Sequence, residues 1–215
     1  MSGQFHKDTF DRIPAEKRER VIATAVREFA NRGFDNANIN TIAEQAGISV
    51  GSMYKYFDSK ESLFLTAIHY GIQTLDAVLS DVLASTDGLL EKAERIVRMI
   101  QKHSREQRDL IRLYNEITSE SNSELVRKIS REMEEVSSNA YSRLISEAQT
   151  RGEVRRDLDP HLYAYFIDSL FMSMQFSYAC EYYQERFRIY VGEDIFERDE
   201  WVVRQFIGFL KAALT

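Results

Sequence analysis

Proline is nearly absent from this chain: Pro14 and Pro160 are the only two in 215 residues. A proline inside a helix removes a hydrogen-bond donor and collides with the preceding turn, so almost the whole sequence is open to long uninterrupted helices. The nine glycines add few further breaks. With 44% hydrophobic and 29% charged residues, the composition is that of a soluble globular protein, and the expected class is all-α. The length exceeds one average domain and falls short of two large ones, which suits a small module joined to a larger one.

Hydrophobic spacing places the first helices. Pro14 fits a first helical turn, and Val21, Ile22, Ala25, Val26 and Phe29 recur at three- and four-residue steps up to Gly33, a residue suited to a left-handed C-terminal cap. Asn38 is an N-cap for a short second helix whose Ile39, Ile42, Ala43 and Ala46 form one apolar face before Gly47 stops it. Ser49 caps a third helix through Phe57, and Ser59 caps a longer one from Lys60. Beyond Ser85 the segments lengthen: Leu89 to His103, Gln107 to Ile117, Glu124 to Arg151, Pro160 to Gln184 and Asp199 to Leu214. Loops are expected at Thr86–Gly88, Ser119–Ser123 and Gly152–Asp159. Phe187–Phe196 mixes strand-like and helical composition, and periodicity leaves its structure open.

The net charge of −6 argues against nucleic acid as a partner only if it is spread evenly, because phosphate binding is largely electrostatic. Residues 1–64 hold nine Lys/Arg and nine Asp/Glu, while residues 65–215 hold nineteen and twenty-five. The acidity belongs to the second part, and the first can present a local basic face. No apolar leader or membrane-spanning run is visible, so a cytoplasmic protein without a membrane partner is expected. Cys180 is the single cysteine, and His6, His69, His103 and His161 show no metal-ligand spacing with it. A buried thiol, ordinary histidines, no metal and no cofactor follow.

Residues 38–57 have the requirements of a helix-turn-helix, in which one helix crosses the DNA backbone and the next enters the major groove. Ala43 lets the two helices approach, Gly47 permits a positive φ in the turn, and Met53 and Phe57 point into the core. The second helix then exposes hydroxyls, phenols and an amine, the donors that phosphate oxygens accept. At Gly51 the missing side chain allows close approach of the backbone to DNA.

The run from Ile42 to Phe64 (IAEQAGISVGSMYKYFDSKESLF) resembles the signature of the TetR family of transcriptional regulators almost position for position, and the likeness extends over residues 14–66. Asn38 stands where that family usually has Ser or Thr, an equivalent cap. The resemblance implies that Ser49, Tyr54, Tyr56 and Lys60 clamp phosphates and that Asn40, Val50, Ser52 and Lys55 meet base edges. Competing roles are packing for Tyr54 and Tyr56, capping for Ser49, a solvated helix start for Lys60, and service to the second helix's own N-terminus for Asn40. The implied organisation is a flexible arm over residues 1–13, a DNA-binding domain over 14–59 and a helical effector-binding and dimerisation domain over 60–215.

By the same resemblance, two copies pair through their last two long helices, and a small-molecule effector enters among the middle ones. Phe166, Leu170, Met174, Trp201, Phe206, Phe209 and Leu210 are the interface candidates, being more apolar than a monomer's surface needs. Tyr114, Tyr141, Phe171, Met172, Gln175 and Tyr178 are the effector candidates by type and placement. Intrachain core is the rival reading for members of both sets. The expected partners are operator DNA, a second copy and an effector, and the expected activity is ligand-responsive repression. An enzyme would need a nucleophile–base pair, a metal cluster or a phosphate loop, and none is visible. A recombinase would need a catalytic constellation as well. A helical interaction module would leave the spacing from Ser49 to Lys60 without a reason.

Overall fold

The computed structural model describes residues 5–118 and 123–215, with side chains described except at 123–128. The described residues form helices and no strand. They are α1 (Asp8–Asp11), α2 (Ala15–Asn36), α3 (Ile39–Gln45), α4 (Val50–Tyr56), α5 (Lys60–Leu83), α6 (Leu89–Glu106), α7 (Arg108–Thr118), α8 (Ser123–Arg151), α9 (Pro160–Ala179), α10 (Glu181–Val191) and α11 (Asp199–Leu214), with a 3₁₀ turn over Glu193–Glu197. No helix among the described residues is long and apolar enough to cross a membrane. The chain divides into two compact units, Met1–Thr74 with Arg112–Glu132, and Leu75–Ile111 with Met133–Thr215.

In the first unit, Val21, Ala25 and Phe29 of α2 are fully buried, as are Ile42 and Ala43 of α3 and Met53 of α4. Phe64 meets Phe29 edge-on at 4.9 Å and Phe34 at 5.1 Å between ring centroids. Gly33 has the left-handed φ expected of it (+69°), but it does not end α2, which is continuous to Asn36 across a kink at that residue. The described part of the segment expected to be a flexible arm, residues 5–13, contains a short helix. Residues 8–11 form α1, and Phe10 is only 3% exposed, because its ring packs 4.8 Å from Phe57 and 5.6 Å from Tyr56.

In the second unit, Leu79, Val97, Ile145, Ala148, Phe171 and Leu214 belong to one buried cluster. Asp159 caps α9 by accepting from the Leu162 amide at 2.8 Å, and Pro160 occupies the first turn. The helix expected from Pro160 to Gln184 stops at Ala179. Cys180 is buried and extended (φ −107°, ψ 132°), and a new helix starts at Glu181. Side chains take the carbonyls exposed by that break: Arg108, distant in sequence, donates to Ala179 at 2.9 Å, and Gln184 of the next helix to Tyr178 at 3.0 Å. The ambiguous stretch 187–196 is the end of α10, Gly192 at φ +120° and the 3₁₀ turn. Of the expected loop Ser119–Ser123, residues 119–122 lie outside the described residues.

Candidate functional site

The α3–α4 pair is built by its caps. Asn38 accepts from the Asn40 amide at 2.8 Å and Ser49 from the Ser52 amide at 3.1 Å, so each helix starts where a side-chain oxygen meets an orphan N–H. Between them Gly47 takes φ +68° with nothing within 4 Å of where a Cβ would sit; the turn therefore demands glycine for its backbone angle and not for space. Met53 is fully buried and Phe57 1% exposed. These two anchors fix which face of α4 looks outward.

That face carries Gly51, Tyr54 and Lys55, all exposed, with Val50 and Ser52 half-buried beside them. Ser49 and Asn40 are exposed at the two helix starts. The surface offers hydroxyls, a phenol, an ammonium group and a bare stretch of backbone, with no carboxylate on α4. Such a convex face can donate hydrogen bonds to phosphates and base edges.

Two of the expected contact residues are placed otherwise. Tyr56 is 8% exposed, its ring held between Phe10 and Phe57 with the Lys17 ammonium 5.8 Å from the ring centroid. Lys60 donates to the Asp35 carbonyl at 2.9 Å and the Ala37 carbonyl at 3.3 Å, and lies 4.9 Å from the centre of the Phe34 ring. Its charge therefore closes the end of α2, where an unsatisfied carbonyl attracts a cation.

The effector candidates separate. Tyr141 and Phe171, 5.4 Å apart between centroids, line an apolar cavity of about 20 Å³ together with Leu144, Ile145, Leu210 and Leu214. Met172 and Gln175 do not line it and are half-buried on α9, while Tyr114 belongs to α7 in the first unit. Tyr178 is a buried polar hub. It receives a bond from Gln101 at 3.0 Å, donates to Asp199 at 3.1 Å and lies beneath the Arg105 guanidinium at 4.6 Å. Burial pushes its phenol up to about 12, the Asp199 carboxylate adding to the shift and the Gln101 bond opposing it.

The interface candidates divide by face. Phe166 and Leu170 of α9 are exposed, as are Leu162 and Tyr165 of the same helix and Phe209 of α11. Met174 and Trp201 are half-buried, the latter under the Arg198 guanidinium at 4.1 Å. Phe206 stacks on Phe171 at 5.5 Å. Leu210 is 2% exposed: it lies about 100° round the helix from Phe209, and that rotation turns it into the core.

A third arrangement, around residues 7–10, escaped the reading of the sequence. The Lys7 amide donates to the Tyr56 carbonyl at 2.8 Å, its ammonium to the Tyr54 carbonyl at 2.9 Å, and the Thr9 hydroxyl to the Lys55 carbonyl at 2.5 Å. The Lys7 ammonium also meets Asp58 at 2.7 Å. The available signals were Phe10 within a polar stretch and the lack of a glycine after Tyr56.

Comparisons with known proteins agree with this geometry. The family model for the N-terminal region of bacterial regulatory proteins of the tetR family matches residues 21–67. The uncharacterized HTH-type transcriptional regulator YerO of Bacillus subtilis is 49% identical over 57 residues, 26% of this chain and 20% of that protein; the matched stretch is thus about a fifth of its relative's length. Among solved structures, the fatty acid degradation regulator FadR from Bacillus halodurans shares the fold with a TM-score of 0.72 at 21% identity, over 88% of this chain and 97% of its own. The transcriptional regulator FadR from Bacillus subtilis, solved in complex with stearoyl-CoA, has a TM-score of 0.69 at 20% identity over 88% and 97%. Residues 21–67 thus carry the N-terminal domain of the tetR family of bacterial regulatory proteins, and the chain shares the fold of the solved regulators.

Proposed function

We propose that this protein is a ligand-responsive transcriptional regulator of the cytoplasm, a repressor that holds a pseudo-palindromic operator as a homodimer and leaves it when an apolar or amphipathic effector binds. The carrying observation is the outward face of α4: Met53 and Phe57 anchor the helix while Val50, Gly51, Ser52, Tyr54 and Lys55 face away from the core. A two-fold pair would set two such helices in major-groove segments about 34 to 36 Å apart or somewhat more. The exposed apolar surface of Leu162, Tyr165, Phe166, Leu170 and Phe209 is the surface we assign to the dimer.

The effector reading rests on the cavity beside Tyr141 and Phe171. At about 20 Å³ it holds about one water, so a ligand must part the helices that line it. A ligand of that kind binds an expanded state better than the closed one, which is the differential affinity that an allosteric effect requires. The helices α5, α7 and α8 contribute residues to both units and are the elements through which expansion would reach the DNA-binding unit. Since the Bacillus subtilis neighbour was solved with stearoyl-CoA, a long-chain acyl-CoA is the first effector to try.

Selection from a random duplex pool tests the DNA reading. An enriched two-fold sequence is expected, bound less tightly as salt rises because phosphate contacts release counterions. A pool that never converges would refute it. With the selected operator in hand, the effector should weaken binding by about 5- to 150-fold.

A further inference from the structure

The recognition helix is closed at its C-terminal end by a segment nearly fifty positions earlier in the chain. An α-helix leaves its last four carbonyls without intrahelical partners, which for α4 are those of Met53, Tyr54, Lys55 and Tyr56. Phe57 supplies its own amide to Met53 at 2.9 Å, but Phe57 is extended (φ −130°, ψ 139°) and leaves the other three carbonyls to partners from outside the helix. All three are taken by two residues: the Lys7 ammonium on Tyr54, the Thr9 hydroxyl on Lys55 and the Lys7 amide on Tyr56. Phe10 locks the segment by filling the space against Tyr56 and Phe57, and the Lys7–Asp58 pair adds a fourth polar tie.

We infer that residues 7–10 are a positioning device for the recognition helix, setting its angle through its C-terminal carbonyls so that operator affinity depends on a segment that itself touches no base. The inference rests on the operator-binding reading of α4. Lys55 shows why the effect should be felt at the groove. Its side chain is exposed toward the proposed DNA face while its carbonyl is held by Thr9, so the bond that fixes the backbone also aims the amine. A helix of two turns has little stiffness of its own, and an end left to water would let the outward residues wander from their bases.

The test is a Lys7→Met, Thr9→Val double variant in the full chain, with operator binding measured across a salt series. Affinity should fall by about 5- to 150-fold, the usual range of a coupling between sites, with the slope of log affinity against log salt unchanged. The conservative Lys7→Arg, Thr9→Ser pair, which keeps both donors, should restore binding. Unaltered affinity in the double variant overturns the inference. A slope shallower by about one overturns it as well, because Lys7 would then be a direct phosphate contact. If the double variant does not fold, amide exchange at Lys7 in the unmodified protein decides: by reciprocity operator must strengthen the Lys7 amide bond to Tyr56, and unchanged protection sinks the idea. A wild-type protein for which no operator can be selected would refute the proposed function instead, a separate outcome.

Discussion

The helices α4 and α9 end in the same way and differ in everything that made them readable. Each stops at an extended residue without glycine, Phe57 in one and Cys180 in the other. Each hands its last carbonyls to side chains distant in sequence: Lys7 and Thr9 for α4, Arg108 for α9. Yet α4 has two buried apolar anchors and a contrasting outward face, whereas α9 is apolar nearly all round, with Ala164, Ile167 and Phe171 inside and Leu162, Tyr165, Phe166 and Leu170 outside. Periodicity finds a face only where there is contrast. Spacing separated anchor from outward residue on most of α4, and on α9 yielded only a list that mixed core with surface.

The sharpest way to press that difference uses two adjacent residues, Phe209 and Leu210, both read from the sequence as interface. Leu210→Ala should cost about 2 to 5 kcal/mol of folding stability, the range for emptying a buried leucine site. Phe209→Ala should leave folding within about 0.5 kcal/mol, as exposed substitutions usually do, while raising the dimer dissociation constant by about tenfold or more. Urea unfolding and sedimentation equilibrium separate the two. Equal effects on folding would mean that Phe209 is covered within its own chain.

Alkaline pH probes the C-terminal end of α9. Tyr178 has its ionisation raised by burial to about 12, against about 10 in an unfolded chain. The folded state therefore holds the proton more tightly, and the stabilisation is fully present below pH 10. It is lost as pH climbs from about 10 through about 12, by up to roughly 3 kcal/mol in all. Tyr178→Phe should be less stable at neutral pH, since Gln101 and Asp199 lose their partner, but its stability should vary less across that alkaline window. Parallel pH profiles for the two proteins would show that Tyr178 does not titrate as its burial demands.

These cases also mark what the chain's sequence could disclose. Caps at Asn38 and Ser49, the positive φ of Gly47 and the inward turn of Met53 are local consequences of residue type, and all are as the spacing implies. The break at Cys180 was hidden because Arg108, which takes the Ala179 carbonyl, lies some seventy residues earlier in the sequence. The bonds of Lys60 were hidden for the same reason. A lysine at a helix start, after a serine cap, has the pattern of a phosphate clamp, and only the fold brings the end of α2 beneath its ammonium. The burial of Tyr56 was not legible because Phe10, which packs against it, was placed in an arm.

Lys55 and Lys60 therefore sharpen the contrast between a residue proposed to read DNA and one whose bonds hold the helices behind it. Lys55→Ala should leave the melting temperature unaltered and shift base preference by about 1 to 3 kcal/mol if the amine makes a good base contact. Lys60→Ala removes a charged donor from two carbonyls, which should cost about 1 to 2 kcal/mol of stability and lower affinity for all sequences only through the unfolded fraction. Normalising binding to folded protein distinguishes them. A Lys60 variant of full stability whose salt slope falls by about one would return that residue to phosphate binding.

The smallest expected effect concerns Asn38, where the family pattern usually has Ser or Thr. Its side-chain oxygen accepts from the Asn40 amide at 2.8 Å and its own amide donates to Glu28 at 3.2 Å. Only the first of these bonds depends on the side chain. Asn38→Ala should thus cost about 1 kcal/mol, the typical value of a lost N-cap, whereas Asn38→Ser, which keeps an acceptor at the same place, should change stability by no more than a few tenths. Asp159 offers the matched case at the start of α9, accepting from the Leu162 amide at the same distance of 2.8 Å. Asp159→Ala should cost a similar amount, because a cap is set by its own few residues and is indifferent to whether the helix behind it has one apolar face or several. If Asp159→Ala costs several times more than Asn38→Ala in thermal unfolding, that independence fails, and the contrast between the two helices extends to their starts.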